Sequence, residues 1–401
     1  MRFSLAAALL LIPCVVPAQT ATRPDTSALQ RLLEAEDHRG TGREGIRPIL
    51  DGMAGGDTLL RRVAARAAGR LQRPELGARL IPFLRDPVPA VRREAANAIA
   101  QSVVHLPRTT AGTTGTGLTV RSASDALAAA LSSEQHPAVV GALAASIGRL
   151  PHADSSAARG AESAIAARMA SAPSREMMQG LYRLAQARRT TGALTASTVA
   201  AVRRAAVAST DATVRRIALS TLSLTGGLDS ATVAATLTDR DEQVRRLAVE
   251  GVMTLPAAQR TAAVRRAAAD PSHVVRLGAV VATRLGARPT DCALLHTLAD
   301  DPMPIVALTA LDALGTPCAD QAAAIAVLER HLTTPRTTGP LAHRWHHAAR
   351  ALKALARVDS ARARPHLARF VTAREWGERI AAATVATTLG DVATLRVLAT
   401  D

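Results

Sequence analysis

Three histidines, His343, His346 and His347, stand at i, i+3 and i+4, a spacing at which two imidazoles on one helix face could reach the same metal ion. No Cys or carboxylate stands locally to complete the site. The expectation is solvated histidines that pack on Trp345, with no metal and no cofactor. Other chemistry is equally hard to place. The chain has no Gly-x-Ser-x-Gly, no His-Glu-x-x-His, no Walker loop and no nucleophilic Cys with a plausible His partner. Gly112, Gly115 and Gly117 lie in a Thr-rich stretch without the strand-to-helix context that a phosphate loop needs. No residue is assigned as catalytic, cofactor-binding or metal-binding.

Binding chemistry is easier to find. Arg92, Arg245 and Arg276 each follow an aspartate by six residues (Asp86, Asp239 and Asp270), so each can reach a turn carboxylate in its own or an adjacent repeat. Arg215 has Ser209 in that slot and Ala307 replaces the arginine, so the pairing is expected to be interrupted at both places. One residue further along, Arg93, Arg216 and Arg246 sit about 100° round the helix and must point elsewhere. Trp345 and Trp376 are separated by 31 residues. They read either as packing between repeats or as an exposed pair flanked by Arg344, Arg374 and Arg379 that would take a partner. Cys292 and Cys318 each follow a turn and are expected to form a disulfide if helix ends converge, or otherwise to fill small gaps as buried thiols.

These residues need elements to hold them, and the sequence supplies a repeat. Asp86-Pro87 to Ala95 recurs from Asp239, from Asp270 and, more weakly, from Asp301, with a further copy around Val214. The anchor valines at 214, 244, 275 and 306 are 30 to 31 residues apart, room for two helices of ten to fourteen residues and two short turns. Asp caps free N–H groups, Pro fits only a first turn, and apolar residues such as Val244, Leu247, Ala248 and Val252 recur at helical spacing. Gly69, Gly148, Gly226, Gly286, Gly315 and Gly390 read as helix stops. One hairpin cannot bury both its faces, so neighbouring repeats must complete the core.

The Asp-Pro…Val-Arg-x-x-Ala signature resembles the HEAT-repeat family, especially the short bacterial HEAT-like repeats found in phycobilin lyase relatives. The resemblance implies an all-α, right-handed α-solenoid of about ten stacked helical hairpins. It also implies that the Asp and Arg pairs run as a ladder along the stack and that second helices line the concave side. Arg93, Arg216 and Arg246 would then form a sparse basic row there, open to a partner or simply solvated. The expected organisation is a signal peptide over 1–18, a lead-in helix within 19–43, repeats over 44–106, a flexible Thr/Gly loop over 107–124, and repeats over 125–401 with the last hairpin incomplete. The repeat pattern is clearest over 75–104 and 195–315 and eroded over 123–188.

Composition agrees with thin helical layers. Only six of the 401 residues are aromatic (three Phe, two Trp, one Tyr), whereas 48% are hydrophobic, so the core must be built from small aliphatic side chains. The formal net charge of +16 raises nucleic acid or an anionic surface as a partner. Lys353 is the sole lysine beside 48 arginines, however, which reads as codon bias as much as selection for charge. Arg2, the apolar run Leu5 to Val16 and the exit at Ala18 read as a secretory leader cleaved before Gln19, and Leu11-Ile12-Pro13-Cys14 is only a faint lipoprotein box. No transmembrane segment is expected. The functional expectation is an exported, periplasmic or extracellular scaffold that binds a protein or peptide. One alternative is the HEAT portion of a longer peptidyl-prolyl isomerase whose cyclophilin domain is not in this sequence, which leaves enzyme status open. The other is a HEAT-like DNA-binding protein, which conflicts with the leader and the scarcity of aromatics.

Overall fold

The computed structural model describes residues 26–105, 117–152, 154–169, 173–187, 194–284, 292–333 and 345–400. The leader 1–18 with Cys14, the Gln19 start, residues 107–116, Gly286, and His343 with Arg344 lie outside that description. Among the described residues all regular structure is helical, in 22 α-helices with two short 3₁₀ segments and no strand. The chain is all-α, as its period requires. No described helix is long and apolar enough to cross a membrane.

The chain divides into two compact units. The first holds α1 (Thr26–Asp37), α2 (Gly42–Ala54), α3 (Thr58–Arg70), α4 (Pro74–Leu80) and α5 (Pro89–Val103). Helix α1 leads in, and its buried Glu36 accepts from Arg66 at 2.9 Å and Arg70 at 2.5 Å, both on α3. Helices α2 with α3 and α4 with α5 form hairpins, and α3 packs along α5. The two approach so closely that a Cβ on Gly69 would lie 2.6 Å from the Ala98 Cα.

The second unit continues with the pairs α6 (Val120–Ser133) and α7 (Pro137–Arg149), α8 (Ser155–Met169) and α9 (Arg175–Ala187), α10 (Ala196–Ala208) and α11 (Ala212–Thr225), α12 (Ser230–Thr236) and α13 (Glu242–Glu250). It ends with α14 (Ala257–Ala268) and α15 (His273–Thr283), α16 (Cys292–Leu298) and α17 (Pro304–Ala313), α18 (Gln321–Thr333) and α19 (Trp345–Val358), α20 (Ser360–Val371) and α21 (Trp376–Leu389), and finally α22 (Val392–Leu398). From α7 to α21 each second helix packs on the second helix before it, giving one continuous layer. The buried surface is Ala, Val and Leu almost throughout, with Phe370 the bulkiest fully buried side chain.

Two expectations are corrected. The span 107–124 is not loop to its end, because α6 begins at Val120; Ala123, Leu127 and Leu131 are buried at helical spacing, and that stripe carries the helix back into the Thr-rich stretch. Among the glycines read as stops, Gly226 and Gly390 do end α11 and α21 with φ of 68° and 66°. Gly69 and Gly148, however, lie inside α3 and α7. A Cβ on Gly148 would sit 2.1 Å from the Gly180 carbonyl oxygen, so this glycine lets α7 and α9 meet backbone to backbone.

Candidate partner-binding surface

The turn arginines are engaged in a regular way. Arg245 donates from Nε and Nη2 to the two carboxylate oxygens of Asp270 (2.7 and 2.8 Å), and from Nη1 to the main-chain oxygen of Asp239 at 2.8 Å. Each carboxylate contact therefore crosses to the next repeat, while the residue's own turn supplies only a carbonyl. Arg276 repeats this with Asp301 (2.6 and 2.9 Å) and Asp270 O (2.9 Å). The same aspartates cap their own turns, since Asp239, Asp270 and Asp301 accept the N–H of Asp241, Ser272 and Met303, each at 2.8 Å. Burial works to raise the Asp270 carboxyl, but its contacts with Arg245 and the Ser272 N–H outweigh it and hold the group below the usual carboxylate range.

That geometry corrects the expected break at Arg215. Its side chain is 3% exposed and binds Asp239 through two contacts of 2.7 Å, with Ser209 giving its main-chain oxygen at 2.8 Å. Any residue can donate a carbonyl, so Ser209 serves as well as Asp. In the first unit Arg61, which no motif match had singled out, occupies the same place: it reaches Asp86 at 2.8 Å and the carbonyl of Gly56 at 2.6 Å. Arg92 donates to the main-chain oxygen of Asp86 at 2.9 Å, not to its carboxylate. Arg61, Arg245 and Arg276 find their aspartate 25 residues downstream and Arg215 finds its own at 24.

The proposed basic row is corrected by the contacts its members make. Arg216 has Asp241 at +25 and forks onto both its oxygens, which with the Gln243 and Val244 N–H groups holds that carboxyl down to about 2. Arg246 has Asp270 at +24, but Arg245 already holds both oxygens of that carboxylate, and Arg246 turns along its own helix to Gln243 (2.9 Å) and Glu250. Arg93 has Leu118 at +25 and reaches Glu94 at 3.4 Å, remaining 45% exposed. These three do not form a row of open cations.

The two tryptophans also differ. The Trp345 indole stacks on His346 (centroids 3.6 Å apart) and lies over Gly377, where an added Cβ would be 2.2 Å from its ring. Trp376 is 66% exposed. His347 stacks on His331 of α18, with centroids 6.1 Å apart. Cys292, at the start of α16, and Cys318, three residues before α18, are joined by a disulfide with Cα atoms 6.0 Å apart. The helix ends converge inside the roughly 7 Å limit for such a bond.

Beyond Asp301 the ladder ends at Ala307, and basic side chains take a different position. A groove of about 450 Å³ crosses the layer from α15 to α21, lined among the described residues by Arg284, Arg350, Lys353, Arg357 and one carboxylate, Asp312. Thr384, Val385 and Thr388 line it on α21. Asp312 receives Arg350 at 2.5 Å and Arg357 at 3.5 Å. Lys353 is half-buried; its burial, then the neighbouring Arg350, push its ammonium below the usual lysine range. Neither tryptophan lines this groove, and no spacing rule pointed to it, since its members are spread over more than a hundred residues of sequence.

No protein-family model matches the sequence, and neither does any curated protein. Among solved structures, the chain is similar to one described as a homology model of the full-length AP-3 complex in an intermediate open conformation, at 9% identity and a TM-score of 0.59, covering 92% of this chain and 74% of that one. An engineered protein matches at 15% identity and a TM-score of 0.46, over 86% of this chain and 99% of its own length. At such identity the first likeness speaks for the fold alone, and the fold it supports is a helical-repeat, α-solenoid-like one.

Proposed function

We propose that this chain is an exported, non-catalytic scaffold of HEAT-like repeats that binds a protein or peptide partner outside the cytoplasm. The observation that carries the reading is the groove across α15, α17, α19 and α21, which is open and lined by side chains from four successive repeats. A solenoid offers extended surfaces of this kind because each repeat adds one helix to the same layer. Export rests on the short apolar leader ending at Ala18. The DNA-binding alternative has less support, because Arg216 and Arg246 are held by carboxylates of the chain itself.

Two measurements test this. A displayed random-peptide library panned against the full chain should yield a recurrent sequence class with affinity in the micromolar range or tighter; repeated failure to enrich any class contradicts partner binding. Expression in a secreting host should give mature protein beginning at Gln19, and retention of Met1 contradicts export.

A further inference from the structure

We propose that the α15 to α21 groove is a docking cleft for an acidic, extended peptide segment, whose carboxylates sit on Arg284, Lys353 and Arg357. This rests on the scaffold reading above and names the chemistry of its partner.

Charge comes first. Among the described lining residues four cations face one carboxylate, Asp312, which already holds Arg350 and Arg357 and offsets only part of the cost of burying Lys353. Lys353 forms no ion pair among the described residues, although it is half-buried beside two guanidinium groups. Holding a desolvated ammonium between like charges is unfavourable, and an anion placed over it relieves both the desolvation and the repulsion. The buried Arg215 and the half-buried Arg245 and Arg276, by contrast, each receive an aspartate of the chain. The groove lies where that supply ends, at Ala307.

Shape then selects the anion. Four neighbouring helices spaced about 8–10 Å apart give a cleft on the order of 25–30 Å long, the span of roughly eight residues in extended conformation. At the α21 end the hydroxyls of Thr384 and Thr388 donate to carbonyls of their own helix, at 2.9 and 3.0 Å. Their hydroxyl hydrogens are therefore committed to the helix, and this end of the cleft lacks the charge of the other. Among the described residues no aromatic ring lines the cleft as a platform for stacking bases. Asp312 in its midst repels an unbroken run of phosphates, whereas a peptide can set neutral backbone over Asp312 and carboxylates to either side.

The sole lysine makes the test specific. An amine-reactive acetylating reagent can modify only Lys353 and the N-terminal amine of the full chain, and mass spectrometry reads the two separately. An eight-residue peptide alternating Glu with Leu is expected to slow Lys353 acylation at least fivefold while leaving the N-terminal amine unchanged. The Gln-for-Glu analogue should give no protection. By fluorescence anisotropy, Arg284→Gln and Lys353→Gln should each weaken the acidic peptide by about tenfold, the size of one charge-assisted contact. Arg266→Gln, which removes an exposed arginine of α14 away from the cleft, should leave binding unchanged. The footprint on the unaltered chain keeps the test decisive if a variant folds poorly. Acidic-peptide binding without Lys353 protection, or equal losses for Arg266→Gln, overturns the cleft but leaves the scaffold reading intact. Equal protection by a single-stranded oligonucleotide of the same charge overturns the peptide assignment. Failure of every peptide, acidic or selected, defeats the scaffold reading itself.

Discussion

Two stretches of the second unit use arginine in opposite ways. From Ser209 to Asp301 each turn arginine is taken up by the aspartate of the next repeat, and successive repeats are stitched by forked ion pairs. Around and beyond the end of that run a disulfide ties Cys292 to Cys318, and Arg284, Arg350 and Arg357 face an open groove with Lys353. The groove arginines stand elsewhere on their helices, Arg284 at the C-cap of α15 and Arg350 and Arg357 within α19, so the difference lies in position: at the turn, arginine meets the aspartate of the next repeat, and further along it faces the groove.

The comparison can be broken at several points. The largest effect is expected from the disulfide. Cys292→Ser with Cys318→Ser, or reduction, should destabilise the chain by about 3 kcal/mol, as for a closed loop of this size, read as a lower urea midpoint. Next comes the most buried rung. Arg215→Ala leaves Asp239 with an unanswered, mostly buried carboxylate and should cost about 2–3 kcal/mol, measured by denaturation of the full chain. Arg245→Ala, at 14% side-chain exposure, should cost about 1–2 kcal/mol. Arg246→Ala, whose contacts stay on its own helix, should cost less than about 0.5 kcal/mol. Equal losses at 245 and 246 would remove the distinction between rung and surface pair.

The ladder stretch should also be the acid-sensitive one. Asp241 is held down to about 2, from an ordinary 3.8, by Arg216. A depressed carboxyl contributes stability that is fully present above the unfolded value and is lost as pH falls through the folded one, here between about 4 and 2. Hydrogen exchange corrected for its intrinsic pH dependence should therefore show α11 to α15 opening before α17 to α21 as pH is lowered from 5 to 2.5. The reverse order would count against the assignment.

Much of the scaffold was legible because it is local. The 30-to-31 spacing, the prolines at N1 of α5 and α17 and the buried valines all act within one hairpin. The convergence of Cys292 and Cys318 was legible as a possibility, since both follow turns in consecutive hairpins. What failed was whatever depends on the next repeat. The partner of Arg215 is 24 residues away, so Ser209 looked like a gap when it was not one. Gly148 looked like a stop because its reason, the Gly180 backbone, is on another helix. Trp345 and Trp376 looked equivalent until Gly377 opened a seat for one indole only. The groove is the extreme case, assembled from four helices with no motif of its own.

The central claim is that arginines divide by position and partner into structural and binding sets. It is tested most directly by measuring unfolding midpoint and acidic-peptide affinity on the same preparations of Arg245→Gln and Arg284→Gln. The account predicts a crossed result: Arg245→Gln lowers the midpoint and leaves affinity unchanged, while Arg284→Gln leaves the midpoint unchanged and weakens affinity about tenfold. Two variants that lose stability and affinity together, or an Arg284→Gln chain that binds as tightly as the unaltered one, would contradict it.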